Sequence, residues 1–115
     1  MRRDIRKYLE DIRLCISELE ALSAGKTLDE YKREFLLRRA AEREFIIIAE
    51  ALSQIGQVSS EVHARLNHVR EIAGFRNIIV HHYSFVDDTY VWKIIHESVP
   101  ILKQQIELWA EELDR

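Results

Sequence analysis

Apolar residues recur at steps of three and four along most of this chain, which is the spacing of one buried face of a helix. The first run covers residues 4–24, and Gly25 stands where it would end that helix. Thr27 followed by Glu30 is a capping-box pair, which opens a second helix. The apolar pattern then predicts one long helix over residues 28–55.

A third helix is predicted to start at Ser59 or Ser60 and to continue through the apolar run at residues 78–80. That run alone is equally typical of a strand. The helical spacing of the apolar residues before it favours a helix.

The last apolar face starts after Asp87 or Asp88 and contains Pro100. Because proline lacks a backbone donor and clashes with the preceding turn, we expect a kink there, or two helices that meet. The pattern predicts an all-α antiparallel bundle of four to five helices, with residues 1–115 as a single domain.

Composition narrows the classes of protein. The net charge of −3 argues against a protein that holds nucleic acid by bulk charge, although a local basic site remains possible. Cys15 is the only cysteine, so no internal disulfide forms and a reducing compartment is expected. The chain shows no membrane-length apolar run, and its first residues lack the apolar segment of a signal peptide. We therefore expect a cytoplasmic protein without a membrane partner.

The stretch RNIIVHHYSF, residues 76–85, combines apolar and polar residues in an informative order. On an ideal helix, the core side carries Ile72, Phe75, Ile79 and Tyr83. The opposite, polar side carries Arg70, Gly74, Asn77 and His81. Gly74 would let a backbone or a ligand approach closely. A histidine on such a stripe is most often simply solvated, so spacing alone leaves a structural role and a reaction centre open.

Arg76 and His81 lie about 140° apart on a straight helix, which is poor geometry for direct cooperation. Either the helix loosens before His81, or a second chain completes the site.

The motif and its flanks resemble the HepT-like toxins of the HEPN superfamily. The motif is Arg76, Asn77, three residues, His81, one residue, then Tyr83. The flanking segments EIAGFRN, FVDDTYVW and SVPILKQQIE also agree, so the resemblance covers nearly the whole chain. Ile46 stands where the family pattern has a glutamate.

This resemblance implies a metal-independent ribonuclease toxin that acts as a homodimer without a cofactor. His81 would be the general acid or base, Arg76 would bind the phosphate, and Asn77 would orient either one. In such systems an MntA-like nucleotidyltransferase antitoxin adenylylates the tyrosine that corresponds to Tyr83.

Other residues have weaker interpretations. Arg39, Arg43 and Arg70 are candidates for binding the RNA substrate, although such charges usually form a solvated face. The histidines show no metal-ligand spacing, so no metal site is expected. The alternative function is a non-catalytic helical subunit that binds a nucleotidyltransferase.

Overall fold

The computed structural model describes residues 5–60, 64, 69–82, 84 and 86–114. Regular structure in these ranges is helical, which confirms the all-α prediction. The helices are α1 Ile5–Ser23, α2 Leu28–Arg33, α3 Phe35–Val58, α4 Val69–His81, α5 Asp88–Glu97 and α6 Val99–Leu113. Among the described residues, none of these helices combines the length and the apolar composition needed to cross a bilayer.

The core forms where α1 and α3 pack along each other. Apolar side chains from α1, α3, α4, α5 and α6 join one buried cluster, as expected when each helix has an apolar face. Helix α4 packs against α3 through an edge-to-face pair of Phe45 and Phe75, with ring centroids 5.2 Å apart. Helix α4 is therefore held in place by α3, while Gly74, Asn77 and His81 on its opposite side are exposed.

The connection between α1 and α2 follows its sequence signals. Gly25 adopts a positive φ of 72°, a conformation that disfavours other residues. Thr27 Oγ1 accepts from the Glu30 amide at 3.1 Å, and a Glu30 carboxylate oxygen accepts from the Thr27 amide at 2.9 Å. The predicted capping box is confirmed.

The prediction of one helix over residues 28–55 is wrong, because the chain leaves the helix at Glu34 (φ −97°, ψ 95°). The break separates α2 from α3, and Tyr31 of α2 is fully buried beside Trp92 with ring centroids 5.2 Å apart. No glycine or proline marks this break. A contact between residues so distant in sequence is invisible to local periodicity.

The run at residues 78–80 is helical, as predicted, and α4 extends to His81. The amide of His82 still donates to the Ile78 carbonyl at 2.8 Å, so helical hydrogen bonding continues one residue past the end of α4. The predicted helix start near Ser60 leads into residues outside the described ranges, and Ser59 is the C-cap of α3.

Of the two expectations for Pro100, a kinked helix or two helices that meet, the second is confirmed. Helix α5 ends at Glu97 and α6 begins at Val99, with Pro100 in its first turn. Proline is tolerated there because a first-turn amide has no intrahelical acceptor. Ser98 between the helices keeps right-handed helical angles (φ −90°, ψ −40°), so one helix ends and the next begins without a loop between them.

Candidate functional site

Helix α4 separates its two faces as predicted. Ile72, Phe75 and Ile79 are buried in the core. Gly74, Asn77 and His81 are exposed on the opposite side. The side chains of Arg70 and Tyr83 lie outside the described residues. The helix thus presents a polar stripe on a rigid element.

Arg76 lies at the edge of this stripe and is held by two neighbours. Its Nη2 donates to a carboxylate oxygen of Glu50 on α3 at 2.7 Å, and its Nη1 donates to Asn77 Oδ1 at 3.4 Å. The enclosed Nε has no acceptor among the described residues. Arg76 keeps about a third of its side chain exposed (32%), so its guanidinium is both fixed and accessible.

His81 is the last residue of α4 and is exposed. It forms no hydrogen bond or ion pair within the described part of the chain. Because α4 is helical through His81, the separation of about 140° between Arg76 and His81 persists. The structure therefore brings Arg76 and Asn77 together and leaves His81 on a diverging direction of the same helix.

Glu50 is the site residue that sequence reasoning missed. It is a charged residue in the otherwise apolar stretch FIIIAEAL of α3. Such an isolated carboxylate could have been noticed, but no local rule pairs it with an arginine 26 residues away. The ion pair is short and half-exposed, with 54% of the Glu50 side chain accessible.

Two arginines that were candidates for RNA binding lie on α3 between its N-terminus and Glu50. Arg39 is 61% exposed, and its Nη1 donates to the buried carboxylate of Glu42 at 3.2 Å. Arg43 is exposed and has no hydrogen bond or ion pair within the described part of the chain. On an ideal helix Arg39, Arg43 and Glu50 fall within about 40° of one another, so both arginines share the face that contacts Arg76.

A separate cluster lies where α1 meets α3. Cys15 Sγ and one carboxylate oxygen each of Glu18 and Glu44 lie within 4.8 Å of one another. Burial, followed by the charge of Glu44, raises the pKa of the Cys15 thiol to about 12. Burial, followed by the Glu18 carboxyl, raises the pKa of Glu44 to about 7. The three side chains are potential metal ligands, but a protonated thiol binds a metal poorly. The absence of a metal at the polar stripe of α4 stays a prediction.

The chain belongs to the HepT-like ribonuclease family. The family model described as "Ribonuclease HepT-like" matches residues 12–108, which include the α4 stripe and the Arg76–Glu50 pair. The predicted family is thereby confirmed, and with it the class of enzyme.

Two relatives illustrate the similarity. A chain described as "Probable ribonuclease HepT" from Thermococcus cleftensis is 32% identical over 111 residues, which cover 93% of this chain and 96% of that one. A chain from Methanocaldococcus jannaschii, described as "Gamma-glutamylcyclotransferase and putative RNase", is 32% identical over 117 residues. That match covers all of this chain but only 51% of the relative. No solved structure matches.

Proposed function

We propose that this protein is the toxin of a toxin–antitoxin pair and cleaves RNA internally without a metal, with His81, Arg76 and Asn77 as its site. The observation that carries the proposal is the α4 stripe. An exposed histidine and an accessible, oriented arginine lie on one rigid helix. Membership in the HepT-like ribonuclease family supports RNA as the substrate.

The chemistry needs no metal in principle, because RNA carries its own nucleophile in the 2′-hydroxyl beside the scissile phosphate. The enzyme then needs proton transfer and positive charge near the phosphate. A histidine can accept or donate a proton near neutral pH, which contributes about 10²–10⁴-fold in rate. Nη1 and Nη2 of Arg76 each donate one N–H to Asn77 or Glu50, and the second N–H of each can donate to phosphate oxygens and stabilise their developing charge.

A second copy of the chain supplies what one chain lacks. In-line cleavage requires an acid and a base on opposite sides of the phosphate, and one α4 presents a single His81. A two-fold dimer that pairs two α4 stripes across a cleft meets this need. The stripe is flanked by the partly exposed Ile78 (39%) and Val80 (40%), and a Cβ at Gly74 would meet nothing within 4 Å. Apolar flanks and an open glycine suit close approach of two helices.

Tyr83 provides the control point in this proposal. A nucleotidyltransferase antitoxin of the MntA type would adenylylate its hydroxyl, two residues beyond His81. The added phosphate is negative and bulky, so it would repel and block the substrate phosphate next to Arg76. Incubation with ATP and that partner should add whole AMP units to Tyr83 by mass spectrometry. An unmodified tyrosine, or labelling elsewhere, would refute this part.

The central test is RNA cleavage in the presence of EDTA by the native chain and by its His81→Ala variant. The native chain should cleave total RNA or tRNA, and the variant should lose the activity by at least about 100-fold. His82→Ala is the matched control, because His82 is also exposed but lies beyond α4. If neither chain cleaves while the protein is dimeric and Tyr83 is unmodified, it is instead a non-catalytic subunit that binds a nucleotidyltransferase.

A further inference from the structure

The outer face of α3 carries an unusual series of residues that leads to the proposed site. Phe35, Arg39, Arg43 and Glu50 follow at steps of four, four and seven, so they share one side of the helix. We call this series, from Phe35 to Glu50, the α3 outer face. The face reaches Arg76, because Glu50 contacts that guanidinium at 2.7 Å.

This face begins with large apolar side chains that the fold leaves uncovered. Phe35 is 60% exposed and Leu36 is 72% exposed, although both lie within the first turn of a 24-residue helix. An exposed phenylalanine next to arginines is typical of surfaces that stack nucleic-acid bases, because the ring meets the base while the arginines meet the phosphates.

The charge of the face is positive. Arg43 is free of described partners, and Arg39 exposes its guanidinium while its partner Glu42 is buried (6% exposed). The carboxylate of Glu50 is already engaged by Arg76. Phosphate is therefore the ligand chemistry that complements this face, even though the chain as a whole is acidic.

The length of the face sets the size of the ligand. Fifteen residues separate Phe35 from Glu50, which is about 22 Å along a helix axis. A stacked strand advances about 3.4 Å per nucleotide, so the face spans at most about six nucleotides. Single-stranded RNA fits these features better than a duplex, because only unpaired bases offer a free face to an aromatic ring.

We propose that the α3 outer face binds single-stranded RNA beside the cleavage site, with Arg39 and Arg43 on its phosphates and Phe35 stacked on a base several nucleotides from the scissile bond. The inference rests on the proposed function, since it places the RNA relative to Arg76. It adds a substrate class, which is an unpaired segment long enough to reach from Arg76 to Phe35.

The test measures RNA binding separately from cleavage. Fluorescence anisotropy on the His81→Ala background, which leaves RNA intact, compares single-stranded oligonucleotides of about four and about ten nucleotides. Phe35→Ala should weaken binding of the longer RNA by about 5- to 150-fold and leave the shorter one unchanged. Phe35→Tyr keeps an aromatic ring at this position and should bind the longer RNA like the parent. Arg43→Ala should weaken binding of the longer RNA. It should also reduce the slope of log K against log salt concentration by about one.

Leu14 on α1 is the matched control, since it is 59% exposed and lies in another helix. Leu14→Ala should bind both RNAs like the parent. Equal binding by Phe35→Ala and the parent would overturn the inference. So would a change of oligomeric mass in Phe35→Ala by light scattering, because the face would then be a protein interface. If either of these two results is found while the native chain still cleaves RNA, the proposed function stands without this face. If it neither binds nor cleaves RNA, both proposals fall.

Discussion

Arg76 has its guanidinium positioned before any substrate arrives. Glu50 accepts from its Nη2, and Asn77 accepts from its Nη1. Because a long arginine side chain has many rotamers, such contacts lower the entropic cost of presenting it to a phosphate. The carboxylate of Glu50 carries an unfavourable charge for RNA, so the role that we propose for it is to orient Arg76.

Substitution of Glu50 tests that role. Glu50→Ala should lower kcat by about 10- to 100-fold, because the guanidinium loses its position. Glu50→Gln should keep most of the activity, since an amide oxygen still accepts from Arg76. The measurement is kcat and KM for RNA cleavage by both variants. Full activity in Glu50→Ala would show that Arg76 needs no positioning by α3.

Glu44 gives a second residue-scale prediction, which concerns stability. Its pKa is raised from the ordinary 4.5 to about 7, first by burial and then by Glu18. The folded state therefore keeps this proton longer than the unfolded state does. The stability contribution is fully present below about pH 4.5 and is lost as the pH rises through about 7.

Glu44→Gln removes this loss, because a neutral amide does not ionise. The free energy of unfolding by urea should rise on the order of 1 kcal/mol at pH 8 and change little near pH 4.5. Glu97→Gln is the control, since Glu97 is exposed at the end of α5. A gain of equal size at both pH values would rule out the titration of Glu44 as its cause.

At the scale of elements, α4 is the helix that matters most. Its buried face packs on α3, while its polar stripe runs up to the last turn without a break. A helix this regular keeps Arg76 and His81 apart, so cooperation between them has to come from how helices are placed relative to one another. Gly74 lies in the middle of the stripe and sets how closely another helix can approach.

Gly74→Ala separates the two effects of that glycine. Alanine should stabilise the single chain by about 0.5–1 kcal/mol, since glycine is a poor helix former and the added Cβ meets no atom within 4 Å. In the proposed dimer the same methyl group should raise the dissociation constant, because it separates the paired helices. Urea unfolding and sedimentation equilibrium measure the two quantities. An unchanged dimer would place the interface away from Gly74.

At the scale of the whole molecule, the proposed site is a property of two chains. If each cleavage needs His81 from both chains, one mutant chain inactivates a dimer. Mixtures of the native and His81→Ala chains at constant total concentration should, after exchange, lose activity as the square of the native fraction, to about one quarter at equal amounts. A linear decrease to about one half would show that each chain acts alone. A light-scattering mass of 13.7 kDa at micromolar concentration would exclude the dimer itself.

The sequence by itself determined the helical nature of the chain, the capping at Thr27, the turn at Gly25 and the two faces of α4. These features depend on neighbours within about one helical turn, so periodicity and local hydrogen-bonding rules are sufficient to predict them. The motif at Arg76 and His81 was recognisable for the same reason, since both residues lie in one continuous segment.

Only the tertiary structure decided the break at Glu34, the pairing of Glu50 with Arg76 and the exposure of Phe35. Each depends on which helix packs where: Tyr31 is buried beside Trp92, Glu50 faces α4, and nothing among the described residues covers the start of α3. Contacts between residues far apart in sequence are selected by the packing of the whole core, and no local pattern encodes them.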